Sequence, residues 1–70
     1  MFKNRIGYWA DKKGVKHKFL ANECSVTIQT FSRWVNNKNQ PDLRQSFIIA
    51  RILNISLDKL GEIETNEDEE

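Results

Sequence analysis

The side chains best suited to chemistry lie in Thr27-Ile28-Gln29-Thr30-Phe31-Ser32-Arg33-Trp34. Gln pairs bidentately with adenine, Arg with guanine, and Ser with either, so Gln29, Ser32 and Arg33 form a set able to read base edges. Phe31 and Trp34 fall three apart and share the other, apolar side of the same helix. Thr27 stands where a side-chain oxygen can accept an amide hydrogen of the first turn. Such a helix needs a partner under its apolar face. Just upstream, Phe19-Leu20-Ala21-Asn22-Glu23-Cys24 reads as a second short helix, and Ser25-Val26 leaves room only for a tight turn. Short helix, tight turn and capped helix make a helix-turn-helix layout.

Other chemistries find little support. One histidine, one cysteine and scattered carboxylates give no metal-ligand spacing, and no nucleophile–base pair or phosphate loop is visible. The sequence therefore predicts a non-enzymatic chain without metal or cofactor. Seventy residues make one domain, near the lower limit for folding on a single core. The N-terminus lacks the pattern of a signal peptide, and no apolar run approaches the ~20 residues of a membrane span. A lone Cys24 forms no internal disulfide, which fits a reducing, cytoplasmic setting. The net charge of +1 conceals an asymmetry: residues 62–70 hold six of the ten acids and none of the eleven bases, leaving residues 1–61 at +7. A basic body with an acidic tail is the footprint of a nucleic-acid binder, and equally that of a solvated domain surface.

The elements that must position this site all read as helix. Phe2, Ile6 and Trp9 recur at i, i+4 and i+7 and predict a first helix over 2–13, with Gly14 as its stop. A second over about 17–24 turns Leu20, Ala21 and Cys24 inward, and a third runs from about 28 to 36, ended by Asn36-Asn37. After the loop through Pro41, Asp42 and Gln45 resemble a capping box. They open a fourth helix over 43–53 with Leu43, Phe47, Ala50 and Leu53 as its stripe. Ser56 caps a short fifth helix carrying Leu57 and Leu60. The expectation is an all-α, compact five-helix body over 1–61 with a disordered acidic tail over 62–70.

In order along the chain, Gly14-Val15, Leu20-Ala21, Val26-Thr27, Gln29 to Trp34, Asn36, Lys38, Gln40-Pro41, Ala50 and Leu53 to Leu60 carry a resemblance. The chain resembles the helix-turn-helix domain of the phage repressor and Cro class, lambda-repressor-like transcriptional regulators of bacteria and their phages. The resemblance covers about residues 4–60 and implies a partner, double-stranded DNA, bound by a homodimer on a short palindrome. It puts Ile28, Gln29, Ser32 and Arg33 at base-reading places, and His17, Asn36 and Lys38 at phosphate contacts. Leu20 and Ala21 join Val26, Phe31 and Trp34 as the core of the motif.

Several positions depart from the family pattern. Ser25 replaces a Gly where positive φ is wanted, Lys16 replaces a capping Ser or Thr, and Asn37 replaces a Gly at lower cost. Ser46 stands where a Leu is usually buried, leaving that corner underfilled. Ala10 and Val35 replace a partly buried Arg–Glu pair and should pack on each other, which leaves no orphan charge. Cys24 reads as a small buried hydrophobe, and His17 as either a surface residue or a phosphate contact. Ile28 suits a thymine methyl or a protein surface. With Phe19 and Ile48, also apolar where the family meets water, it defines a second reading: a protein–protein interaction module on the same fold.

Overall fold

The computed structural model describes residues 1–63. A strand β1 (Phe2–Asn4) leads into helices α1 (Ile6–Lys13), α2 (His17–Glu23), α3 (Ile28–Val35) and α4 (Leu43–Leu53); a 3-10 turn at Leu57–Lys59 and strand β2 (Gly61–Ile63) follow. Among the described residues the helices start and stop on signals carried by the chain itself. Thr27 Oγ1 accepts from the Thr30 amide at 3.1 Å, capping α3. At α4 Asp42 Oδ1 accepts from Gln45 N (2.7 Å) while Gln45 Oε1 accepts from Asp42 N (2.9 Å), a closed capping box. Lys16, before α2, offers no such bond.

All four helices end alike. Gly14, Ser25, Asn37 and Asn54 take left-handed φ of 70°, 60°, 59° and 58°. Each returns its own amide and the next one to the last helical turn, as when Asn37 N donates to Trp34 O (2.9 Å) and Lys38 N to Arg33 O (2.8 Å). Gly adopts this conformation without steric cost and Asn with little. Ser25 has neither advantage, so the tight turn of the motif carries strain.

Ile6, Ala10, Leu20, Ala21, Cys24, Phe31, Trp34, Ile49, Ala50, Leu53 and Leu60 are buried together. Phe31 is fully enclosed, its ring 5.7 Å from Trp34 and 5.5 Å from His17. Burying a side chain of that size contributes about 1.5–3 kcal/mol. Val26 packs on the cluster from the turn, and Val35 from the end of α3. Val35 Cγ1 lies over Gly7, where a Cβ on the glycine would approach it to 3.0 Å, so its near neighbour is the turn of α1 that precedes Ala10.

Five expectations need correction. The fold is not strictly all-α, and its helices number four among the described residues. Residues 2–4 are extended, because β1 pairs antiparallel with β2 in the register Phe2↔Ile63, Lys3↔Glu62, Asn4↔Gly61. The first helix therefore begins at Ile6, whose amide donates to Asn4 Oδ1 at 3.0 Å. The fifth helix is a single 3-10 turn, and the Ser56 side chain makes no capping bond. Glu62 and Ile63 belong to β2, so the folded body passes the expected limit at 61; the remainder of the expected tail, 64–70, lies outside the described residues. Finally, α4 faces the core with Ile49, Ala50 and Leu53, while Leu43 and Phe47 stand 67 % and 51 % exposed. Two overlapping stripes satisfy helical spacing in this segment. Packing selected the one through Ser46, whose hydroxyl donates to Asp42 O at 2.8 Å.

Candidate nucleic-acid interface

The two faces of α3 separate by residue type at every position but the apolar, exposed Ile28. Phe31 and Trp34 are buried, whereas Ile28, Gln29, Ser32 and Arg33 are exposed. The four exposed residues form two i,i+4 pairs, 28 with 32 and 29 with 33, on adjoining rows of one helix surface. Thr30 is turned aside, and its hydroxyl accepts from Thr27 Oγ1 at 3.1 Å.

Neighbouring amides hold the polar face. Arg33 Nη2 donates to Asn39 Oδ1 at 2.9 Å, which orients the guanidinium toward the loop after α3. Asn36 Nδ2 donates to Ser32 O at 2.9 Å, with Ser32 Oγ at 3.4 Å. Lys38 is exposed on the same loop, and its backbone is fixed by the bond to Arg33 O. His17 stands at the start of α2 with its ring against Phe31. Its Nε2 is buried and lies 3.8 Å from Asp11 Oδ1, so any approach from outside meets the other edge of the ring.

The sequence did not single out the group that anchors the loop. Asn4, only 7 % exposed, reaches across from β1. Its Nδ2 donates to Trp34 O (2.7 Å) and Gln40 Oε1 (2.6 Å), and its backbone N–H donates to Asn37 Oδ1 (2.7 Å). Asn37 Oδ1 also accepts from Gln40 Nε2 at 2.9 Å, and Asn37 Nδ2 donates to Asn4 O at 3.3 Å. A buried amide so fully satisfied rigidifies what it touches. Here that is the C-terminal end of α3 and the loop carrying Lys38 and Asn39. The available signal was compositional: Asn36, Asn37, Asn39 and Gln40 crowd five positions, and such side chains bond readily to backbone groups.

The remaining candidates separate. Phe19 and Ile28 are 49 % and 45 % exposed, but Ile48 packs against the core and leaves the proposed apolar trio. Cys24 is buried with Sγ 3.8 Å from Gln45 O. Burial pushes its thiol pKa up, and Arg44 pulls the other way. A raised pKa leaves less thiolate at neutral pH, as in an inert structural cysteine. Among the described residues no His, Cys, Asp and Glu gather as a metal site, and no helix is long and apolar enough to cross a membrane.

Comparison with known proteins agrees with this geometry. The family model described as "Helix-turn-helix" matches residues 7–60. The chain belongs to the helix-turn-helix family, in the phage repressor and Cro class. A candidate DNA-binding protein from Bacteroides fragilis superposes on this helix-turn-helix protein with a TM-score of 0.83 at 32 % identity, over 89 % of this chain and 100 % of that one. A transcriptional regulator from Listeria innocua gives a TM-score of 0.70 at 18 % identity, over 94 % of this chain and 67 % of that one, a likeness of fold. Comparison with the curated proteins finds no match.

Proposed function

We propose that this protein is a sequence-specific, double-stranded DNA-binding transcriptional regulator of the repressor or Cro type, of bacterial or phage origin. It works as a homodimer on a palindrome and inserts α3 into the major groove. The observation that carries this reading is the exposed face of α3, with Arg33 held by Asn39. An eight-residue helix is about 12 Å long, and the major groove is about 12 Å wide. Four residues of helix rise about 6 Å. Successive base pairs are about 3.4 Å apart, so Gln29 and Arg33 suit base pairs two steps apart. Ser32 reads beside them, and Ile28 meets a thymine methyl. Lys38 supplies the phosphate contact of the loop. Asn36, whose amide is engaged by Ser32, and the outer edge of His17 add to it. The family membership and the DNA-binding description of the Bacteroides fragilis relative support the same reading. A regulator of this kind is non-enzymatic and resides in the cytoplasm with its DNA.

The test is selection of bound sites from random duplexes. Gln29→Ala and Arg33→Ala should each lose about 1–3 kcal/mol of binding and relax preference at one position. Lys38→Ala should weaken all duplexes alike and lower the salt slope by about 1. Wild-type affinity and preference in both base-reading variants would sink direct readout. The half-exposed Phe19 and Ile28 favour a second reading, an interaction module that regulates another protein; recovery of no preferred sequence would move the weight there.

A further inference from the structure

Arg33 is the longest side chain on the exposed face of α3 and the one with most ways to meet DNA unproductively. A guanidinium pairs as readily with phosphate as with guanine, and a phosphate contact carries no sequence information. A long side chain left to itself also gives up much rotameric freedom when it commits to one base. The fold supplies a restraint. Arg33 Nη2 donates to Asn39 Oδ1 at 2.9 Å, from helix to loop across six residues. Among the described residues, Arg33 is the partner of the Asn39 side chain, so that amide has no other visible task. The bond uses a single guanidinium N–H. Enough donors remain for the bidentate contact with guanine O6 and N7.

The loop that presents Asn39 is itself fixed. Lys38 N and Asn39 N both donate to Arg33 O, at 2.8 and 3.4 Å. On either side of them Asn37 Oδ1 and Gln40 Oε1 accept from Asn4, at 2.7 and 2.6 Å. The acceptor is therefore held by the fold and not by DNA, which is what preorganisation of a reading group requires. We infer that Asn39 is a positioning residue for recognition: it holds the Arg33 guanidinium at one base pair and away from the phosphates, without touching a base itself. This gives a role in specificity to a loop for which the family resemblance implies phosphate contacts. The inference rests on the DNA-binding reading, in which Arg33 meets a base.

The experiment has two arms, both on the full chain. Without DNA, heteronuclear NMR follows rotation and hydrogen exchange of the Arg33 guanidinium, which should be slow in wild type and faster in Asn39→Ala. A guanidinium equally mobile in both overturns the proposal. With DNA, bound sites are selected from random duplexes by wild type, Arg33→Ala, Asn39→Ala and Asn39→Asp. Asn39→Ala should lose about three- to tenfold of the preference at the same base pair that Arg33→Ala relaxes, with the salt slope unchanged. Asn39→Asp keeps the acceptor and adds a negative charge, so it should bind every duplex more weakly yet retain that preference. Three results overturn the positioning role while leaving the DNA reading intact. They are a preference lost in Arg33→Ala but kept in Asn39→Ala, a tighter and sharper Asn39→Ala that shows Arg33 parked away from its base, and an Asn39→Ala salt slope lower by about 1 that makes Asn39 a phosphate contact. A wild type without any preferred sequence removes the DNA reading and the positioning role together, even where the NMR arm registers the bond.

Discussion

The two ends of the reading helix are secured by different physics. At its N-terminal end the fixing groups lie in the helix-turn-helix itself: Thr27 caps three residues on, the Ser25 turn joins α2 to α3, and Phe31 packs on His17 of α2. At its C-terminal end the fixing group is Asn4, thirty residues away from Trp34 in sequence, buried and fully bonded. Apolar packing is tolerant and additive, and a tightly packed ring can shift within it. A buried amide with several partners is less forgiving, because its bonds need fixed distances and directions that a displaced group no longer meets. Stability should therefore reside mainly in the first region, and accurate placement of the loop proposed to meet DNA in the second.

The largest effect should come from breaking the apolar side. Phe31→Ala opens a cavity at a fully enclosed position and should cost about 3–5 kcal/mol, enough to unfold much of so small a domain. Urea denaturation measures it, and a loss near 1 kcal/mol would mean that Phe31 is not the keystone its burial implies.

Asn4 tests the other side. Asn4→Ala should cost about 1–2 kcal/mol, since it removes the side-chain bonds to Trp34 O, which keeps only the Asn37 amide, and to Gln40 Oε1, and leaves the Ile6 amide without its acceptor. Asn4→Asp keeps the shape but can only accept, so it should fare no better. Both should lose more DNA affinity than the fraction still folded explains, because the Lys38–Asn39 loop comes adrift. DNA affinity that merely tracks the folded fraction would erase the distinction between the two ends.

Ser25→Gly is the mildest test. Relief of left-handed strain returns about 1–2 kcal/mol, and the added freedom of glycine in the unfolded chain takes back about 0.5–1 kcal/mol. A net gain of about 0.5–1 kcal/mol should appear as a raised melting temperature with DNA binding unchanged. A less stable variant would show that the Ser25 side chain contributes something beyond its strained backbone.

The same division explains what the sequence disclosed. Thr27, the Asp42–Gln45 box, Gly14 and the Phe31–Trp34 spacing act within one or two turns, so their consequences can be read from neighbours alone. The exposure of Gln29, Ser32 and Arg33 followed from that same periodicity, whereas Ile28, three residues before Phe31, was placed outward only by the family resemblance. The two-stranded sheet was hidden because three-residue strands are too short to show alternation, and Phe2 happened to continue the helical spacing of Ile6 and Trp9. Asn4 looked like any polar residue near a chain end. Its partners stood out for other reasons, Asn37 as a helix stop and Gln40 as a family position, and only the fold brings the three together. The phase of α4 failed for another reason: Leu43 and Phe47 are as apolar as the residues that packing chose.

The β1–β2 register carries one more consequence, a topological one. With Phe2 beside Ile63, the described chain leaves and returns at the same place, so it is already a ring lacking one covalent link. A short peptide joining residue 63 to residue 2 would complete the circle without displacing any helix. It would restrict the unfolded ensemble much as a disulfide closing a loop of that length does. The ring could then be reopened at the exposed turn around Gly14, giving a circular permutant in which α2, α3 and the anchored loop keep their order.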